Sequence, residues 1–127
     1  MGSSRNRSAG HGLERSIVKE LKELGFDAVT ARAESRNMDN RGIDIFSPPY
    51  CSNPLPVHIQ CKNTVINPHY EDLLTSELLP NDKPTVVVHR KTKKANTRFV
   101  TQGEYVLMKK SDFYSIIEKL KNYDKIK

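Results

Sequence analysis

Residues 42–62 read GIDIFSPPYCSNPLPVHIQCK, and the fold turns on how they are read. Side chains alternate between the two faces of a β-strand. In the first apolar run, Asp44 therefore opposes Ile43 and Ile45. In the second, Gln60 and Lys62 oppose Val57, Ile59 and Cys61. Pro48 and Pro49 end the first run, because proline cannot donate to a ladder. Asn53, Pro54 and Pro56 add turn signals before the second run. The stretch predicts two strands joined as a hairpin, with a carboxylate, an amide and an ammonium gathered on one side.

On the N-terminal side, residues 12–24 predict a helix. Leu13, Ile17, Val18, Leu21 and Leu24 recur at helical spacing, and Gly25 suits the position just past the end. At about 100° per residue, Glu14 falls inside this apolar arc, whereas Arg15, Lys19, Lys22 and Glu23 point away. A carboxylate on a buried stripe is costly without a cation or donors. A wet first-turn Glu favoured by the helix dipole is the plain alternative. Residues 26–32 read as a strand and the polar residues 33–41 as a loop. Residues 1–10 are small, polar and basic and read as a flexible arm, whose Arg5 and Arg7 either touch phosphates or are simply solvated.

Beyond the hairpin, residues 68–79 predict an amphipathic helix with Tyr70, Leu73, Leu74 and Leu78 on its core face. Residues 85–89, TVVVH, are apolar on both parities and read as a central strand covered on both sides. Residues 90–98 carry five positive charges in nine positions, including Lys91, Lys93 and Lys94. They read as a loop or hairpin tip, either solvated or contacting phosphate. Phe99-Val100 and 105–108 predict one or two last strands. A final helix capped by Ser111 would turn Phe113, Ile116, Ile117 and Leu120 inward. The order is α-β-β-β-α-β-β-α. It predicts an α/β three-layer domain over residues 11–127, a short mixed sheet flanked by helices.

The chain has 127 residues, 36% hydrophobic and 28% charged, which suits one domain with one core. Its net charge of +6 favours an anionic partner, nucleic acid before an acidic membrane surface. No run of about 18 apolar residues predicts a membrane span. No apolar segment near the start reads as a secretory signal, so a cytoplasmic location is expected, with Cys51 and Cys61 reduced. There is no Cys-x-x-Cys, no metal spacing among the four histidines, no Gly-rich phosphate loop and no Gly-x-Ser-x-Gly elbow.

Glu14, Asp44, Gln60 and Lys62 are thus the polar residues standing where apolar ones are expected. Hard divalent cations take oxygen ligands, and Mg²⁺ typically uses one or two carboxylates, waters and substrate phosphate. Glu14, Asp44 and the Gln60 amide oxygen offer such ligands, and a backbone carbonyl near Cys61 could add another. Lys62 could position a water or stabilise charge developing on a phosphate. Such a set suits phosphodiester hydrolysis.

The order Glu14 … Gly42-Ile43-Asp44 … Gln60-Cys61-Lys62 resembles the PD-(D/E)XK nuclease superfamily, which has the restriction-endonuclease-like fold. Within it the chain looks most like the archaeal-type Holliday junction resolvases, through Glu14-Arg15, Gly25-Phe26-Asp27-Ala28-Val29 and Arg32-Ala33-Glu34-Ser35. The resemblance covers roughly residues 7–90. It implies a homodimer that makes paired nicks in four-way or other branched DNA with Mg²⁺ or Mn²⁺. In that reading Glu14, Asp44 and Gln60 hold the metal, and Lys62 serves the nucleophilic water. Arg15, Arg32 and Ser35 contact DNA; Arg7, Lys91, Lys93 and Lys94 are further candidates from their charge. Gln60 stands where most members have Glu. About fifteen residues, rich in Pro, separate it from Asp44. Two alternatives follow: a DNA-binding module of the same fold with weak or lost catalysis, and a restriction or repair endonuclease acting on duplex. The plain structural reading has Asp44 capping a turn, and Gln60 with Lys62 on the wet face of an edge strand.

Overall fold

The computed structural model describes residues 4–126, and side chains from Gly10 to Tyr123. Ten elements follow in order: α1 (Ser4–Glu23), β1 (Val29–Thr30), α2 (Ala31–Glu34), α3 (Arg36–Asn40), β2 (Ile45–Phe46), β3 (His58–Thr64), α4 (Tyr70–Thr75), β4 (Thr85–Ala95), β5 (Arg98–Leu107) and α5 (Lys110–Ile126). The five strands form one sheet in sequence order. β3 and β4 are parallel, and the other neighbours are antiparallel. The protein is therefore α/β, with a mixed sheet and flanking helices.

The helix expected over 12–24 starts earlier, at Ser4, so residues 4–10, expected as an arm, are helical. Its end is as expected. Gly25 takes φ +97°, and the amides of Gly25 and Phe26 close back on the carbonyls of Lys22 and Leu21. That is the Schellman pattern, which only a residue tolerant of left-handed backbone closes cheaply. Leu24, assigned to the core stripe, instead lies exposed beyond the last turn.

Leu13 and Ile17 of α1 pack on Ile45, Ile59, Cys61 and Val86, with Ala28 and Leu55 completing this core. Ile59 and Cys61 thus face α1, and the residue between them, Gln60, faces α4 by strand alternation. A smaller cluster of Ala31, Ile43 and Phe46 seals the β1–β2 end.

Four expectations are corrected. Residues 33–41 are not a loop: α2 and α3 fill most of them, with the Met38 amide donating to Ser35 Oγ at 3.2 Å as a cap. The helix expected over 68–79 is short, and Tyr70 and Leu78 stay exposed while Leu74 is buried. Lys91, Lys93 and Lys94 lie on β4 itself, which runs on to Ala95 and turns at Asn96, φ +59°, into β5. Finally, Phe113, Ile117 and Leu120 of α5 are exposed, and only Ile116 is half-buried.

Candidate active site

Asp44 is fixed by the turn before it. α3 ends in a second Schellman pattern: Gly42, φ +86°, and Ile43 donate their amides to the carbonyls of Asp39 and Met38. Ile43 then drops into the β1–β2 cluster, fully buried. Asp44 follows, its backbone carbonyl accepting from Ala31 at 2.8 Å and its amide donating to Ile59 at 2.9 Å. The β2–β3 register holds a single pair, Ile45 with Ile59. Beyond it a side chain takes over from the ladder: the Cys61 amide donates to Asp44 Oδ2 at 2.7 Å. The aspartate thus sits where the two strands stop pairing.

Glu14 comes from α1. It is 7% exposed, and its Oε2 is buried without a hydrogen-bond partner. The nearest cation is Arg32, whose Nε lies 3.5 Å away on a side chain that is itself well exposed. Burial raises the Glu14 carboxyl above its ordinary pKa, repulsion from Asp44 adds to the rise, and Arg32 opposes it. Burial also raises Asp44, against the pull of the Cys61 amide and the Lys62 ammonium. Cys61, beneath both acids, has its thiol pushed far up by burial and then by their charges. Glu14, Asp44, Cys61 and Lys62 therefore form one electrostatic cluster.

Gln60 is placed differently. It is 3% exposed, and its Nε2 donates to the Leu73 carbonyl of α4 at 2.9 Å, on the sheet face opposite α1. The structure thus brings Glu14 and Asp44 together, with the Lys62 ammonium acting on Asp44 although it shares the strand parity of Gln60, while Gln60 itself is anchored to α4. Two neighbours of Asp44 had no signal that sequence pattern could rank: Asp39 of α3 and His11 of α1 both act on its charge. His11 sits three residues before Glu14, on the same helical ridge, which is the one clue the sequence held.

Lys62 opens onto a cavity of about 800 Å³ lined by Gly10, Arg90, Thr92, Phe99 and Thr101, among others. Arg90 is held in its wall by Ser16 Oγ at 3.3 Å and by Glu104 at 3.6 Å. The remaining candidates scatter. Arg15 is exposed on the outer side of α1, against a shallow hollow with Lys19 and Lys22. Ser35 caps α3 and lines a separate cavity beside the Pro-rich loop and His58. Lys91 donates to Asn67 Oδ1 at 3.0 Å, and Lys93 and Lys94 project from opposite faces of the β4–β5 ribbon. The Arg7 side chain lies outside the described residues.

A divalent cation can be tested against these donors. Two carboxylates meet, one with an orphaned buried oxygen, both with raised pKa values. A hard cation between them would relieve both the repulsion and the missing partner, and two carboxylates are what Mg²⁺ commonly takes from protein. The donor set fits. Among the described residues no group of three His, Cys, Asp or Glu could hold a metal, so a site here rests on two acids and neutral oxygens.

No family model matches the chain, and no curated protein or solved structure resembles it closely enough to count as a match. The class is set by the architecture alone: an α/β domain with a five-stranded mixed sheet and flanking helices. No helix among the described residues is long and apolar enough to cross a membrane.

Proposed function

We propose that the protein is a Mg²⁺- or Mn²⁺-dependent DNA endonuclease of the Holliday junction resolvase type. The observation that carries the reading is the approach of the buried Glu14 and the half-buried Asp44 carboxylates where β2 and β3 part, with Lys62 acting on Asp44. Two acids held together in a partly dry site are an expense that a fold without use for them avoids.

Glu14 and Asp44 would hold the cation, which would supply positive charge to offset the charge that builds on the scissile phosphate. Asp44 is kept rigid by its backbone bonds to Ala31 and Ile59 and by the Cys61 amide. Lys62, facing the cavity, supplies a positive charge beside the phosphate and orients the attacking water. Arg32, bridging to Glu14 from an exposed position, is placed to meet DNA phosphate beside the acids. The net charge of +6 and the outward lysines of the β4–β5 ribbon supply sequence-independent affinity for the backbone.

A second reading has its own observation. Gln60 is tied to Leu73 in the manner of a structural amide, which favours a DNA-binding module that has lost its turnover. Cleavage assays on synthetic four-way junctions, flaps and linear duplex, with Mg²⁺, Mn²⁺ or chelator, separate the readings. Metal-dependent cutting of junctions supports the resolvase reading, and preference for linear duplex supports a restriction or repair enzyme. Salt-sensitive junction binding without cutting in either metal supports the module.

A further inference from the structure

The cavity beside Lys62 is larger than one phosphate needs. It measures about 800 Å³, a volume typical of sites that enclose small organic molecules. Among the described residues it lies between Gly10 of α1 and one face of the β4–β5 ribbon. The strand register explains which ribbon side chains reach it. Residues directly opposite in an antiparallel pair share a face. Arg90 is opposite Glu104, Thr92 opposite Thr101, and Lys94 opposite Phe99. From base to tip, that face carries a guanidinium, two hydroxyls, an aromatic ring and an ammonium. Arg90, Thr92, Thr101 and Phe99 line the cavity, and Lys94 extends the same face beyond it.

The charge here is positive and incompletely neutralised. From Lys91 to Gly103 the ribbon has no acidic residue. Glu104 lies 3.6 Å from Arg90, and the Arg90 Nε is buried without a hydrogen bond. Lys62 adds a second cation to the lining. Such a site favours an anion, but a phosphate alone leaves most of the volume unused. Phe99 is 40% exposed. Any nucleobase can stack on such a ring, and threonine hydroxyls both donate to and accept from base edges and sugars. A base inside a duplex is already stacked on both sides, so an aromatic wall can serve it only once it is unpaired. Cations, ring and hydroxyls in one concave space match the phosphate, base and sugar of a single unpaired nucleotide.

We propose that this cavity binds an unpaired nucleotide of single-stranded DNA, its base stacked on Phe99 and its phosphate neutralised by Arg90 and Lys62. The binding itself stands apart from the nuclease reading. Its consequence for substrate choice rests on that reading. Lys62 belongs both to the cavity and to the proposed hydrolytic centre, so the preferred substrate is branched DNA with an unpaired nucleotide beside the cut, not a fully paired helix.

Fluorescence anisotropy in chelator, where nothing is cut, tests the proposal. The probes are a labelled oligothymidylate and a blunt duplex of equal length at the same salt. Phe99→Leu keeps an apolar side chain and removes the ring. It should weaken oligothymidylate binding about tenfold and change duplex binding by less than about twofold. Phe99→Tyr, which keeps a ring, should bind both probes as wild type does. Independently of any variant, ultraviolet crosslinking of wild type to oligothymidylate carrying iododeoxyuridine should map by mass spectrometry to Phe99 or its neighbours in the cavity. Equal losses for both probes in Phe99→Leu, no loss for either, a Phe99→Tyr variant as weak as Phe99→Leu, or crosslinks confined to residues outside the cavity would overturn the assignment. Protein that meets these expectations but cuts no DNA with Mg²⁺ or Mn²⁺ keeps the subsite and loses the nuclease reading. Protein that cuts junctions while Phe99→Leu binds both probes normally keeps the nuclease reading and loses the subsite.

Discussion

Replacing Glu14 by Gln removes a charge from α1 while nearly conserving the side chain's size and shape. Two effects of the change oppose one another. The carboxylate loses its contact with Arg32, which is 3.5 Å long and solvent-exposed on the arginine side. Such pairs contribute about 0.2–1 kcal/mol. Against this, the variant no longer buries a charged oxygen without a hydrogen bond, and it no longer repels Asp44. A buried polar group without a partner costs roughly 1–3 kcal/mol and a charged one more, so exchanging the carboxylate for a neutral amide removes that excess. The second effect wins, so without metal at neutral pH Glu14→Gln should be more stable than wild type by about 1 kcal/mol, a rise in Tm of about 4 °C. The sign with pH follows from the raised pKa. A carboxyl that holds its proton more tightly when folded favours the folded state at low pH, and this contribution is lost as pH rises through the folded-state pKa. The gain from the variant should therefore shrink toward zero below about pH 4, where wild-type Glu14 is protonated in the unfolded chain as well. Saturating Mg²⁺ should reverse the order, because wild type gains about 2.7 kcal/mol at a hundred times Kd and the variant gains less. Thermal unfolding with chelator and with Mg²⁺, at several pH values, measures all three. A variant less stable than wild type in chelator at neutral pH would refute the reasoning, since Glu14 would then be a structural partner of Arg32 and not a strained ligand.

Other consequences follow from the same geometry. Gly42→Ala puts a Cβ on a backbone at φ +86° and should cost roughly 1–2 kcal/mol in denaturant unfolding, because a left-handed residue pays that strain. Cys61 is buried with its thiol pKa pushed far up, whereas Cys51 is only partly covered, so a thiol reagent should label native protein at Cys51 first and reach Cys61 only on unfolding, as read by mass spectrometry. Asp82, held below the ordinary Asp range chiefly by its 2.9 Å bond to His58, contributes stability above its unfolded pKa and loses it as pH falls through the folded value. Its side chain is mostly exposed, so Asp82→Asn should cost less than about 1 kcal/mol at pH 7 and nothing near pH 2, by thermal melts across that range.

The sequence was informative wherever burial imposed a period. Glu14 was placed inside by helical phase, and it is buried. The two-residue period of residues 57–62 separated Ile59 and Cys61, which face α1, from Gln60, which faces α4. It could not say that the face carrying Gln60 is closed by α4, so an amide expected beside Asp44 is instead bonded to Leu73. α2 and α3 were missed because they bury little: Ala31 and Met38 are their apolar contacts, and a Ser cap with a Gly stop holds them in place of a stripe. The outer part of the β4–β5 ribbon was missed for a similar reason. Two paired strands with both faces wet need no apolar alternation, so lysines read as a loop. For α5 the spacing identified correctly which residues share a face. Spacing carries no information about what covers that face, and among the described residues nothing does.

The central claim is that Asp44, Glu14 and Lys62 form a hydrolytic centre for DNA. It is tested most directly by incubating purified protein with a labelled four-way junction and Mg²⁺, wild type beside Asp44→Ala and Lys62→Ala, each shown by circular dichroism to be folded. The account predicts metal-dependent nicks from wild type and a loss of at least about a hundredfold in either variant, with junction binding retained. Folded wild-type protein that binds the junction but leaves it uncut with both Mg²⁺ and Mn²⁺, or variants that cut as well as wild type, would contradict it.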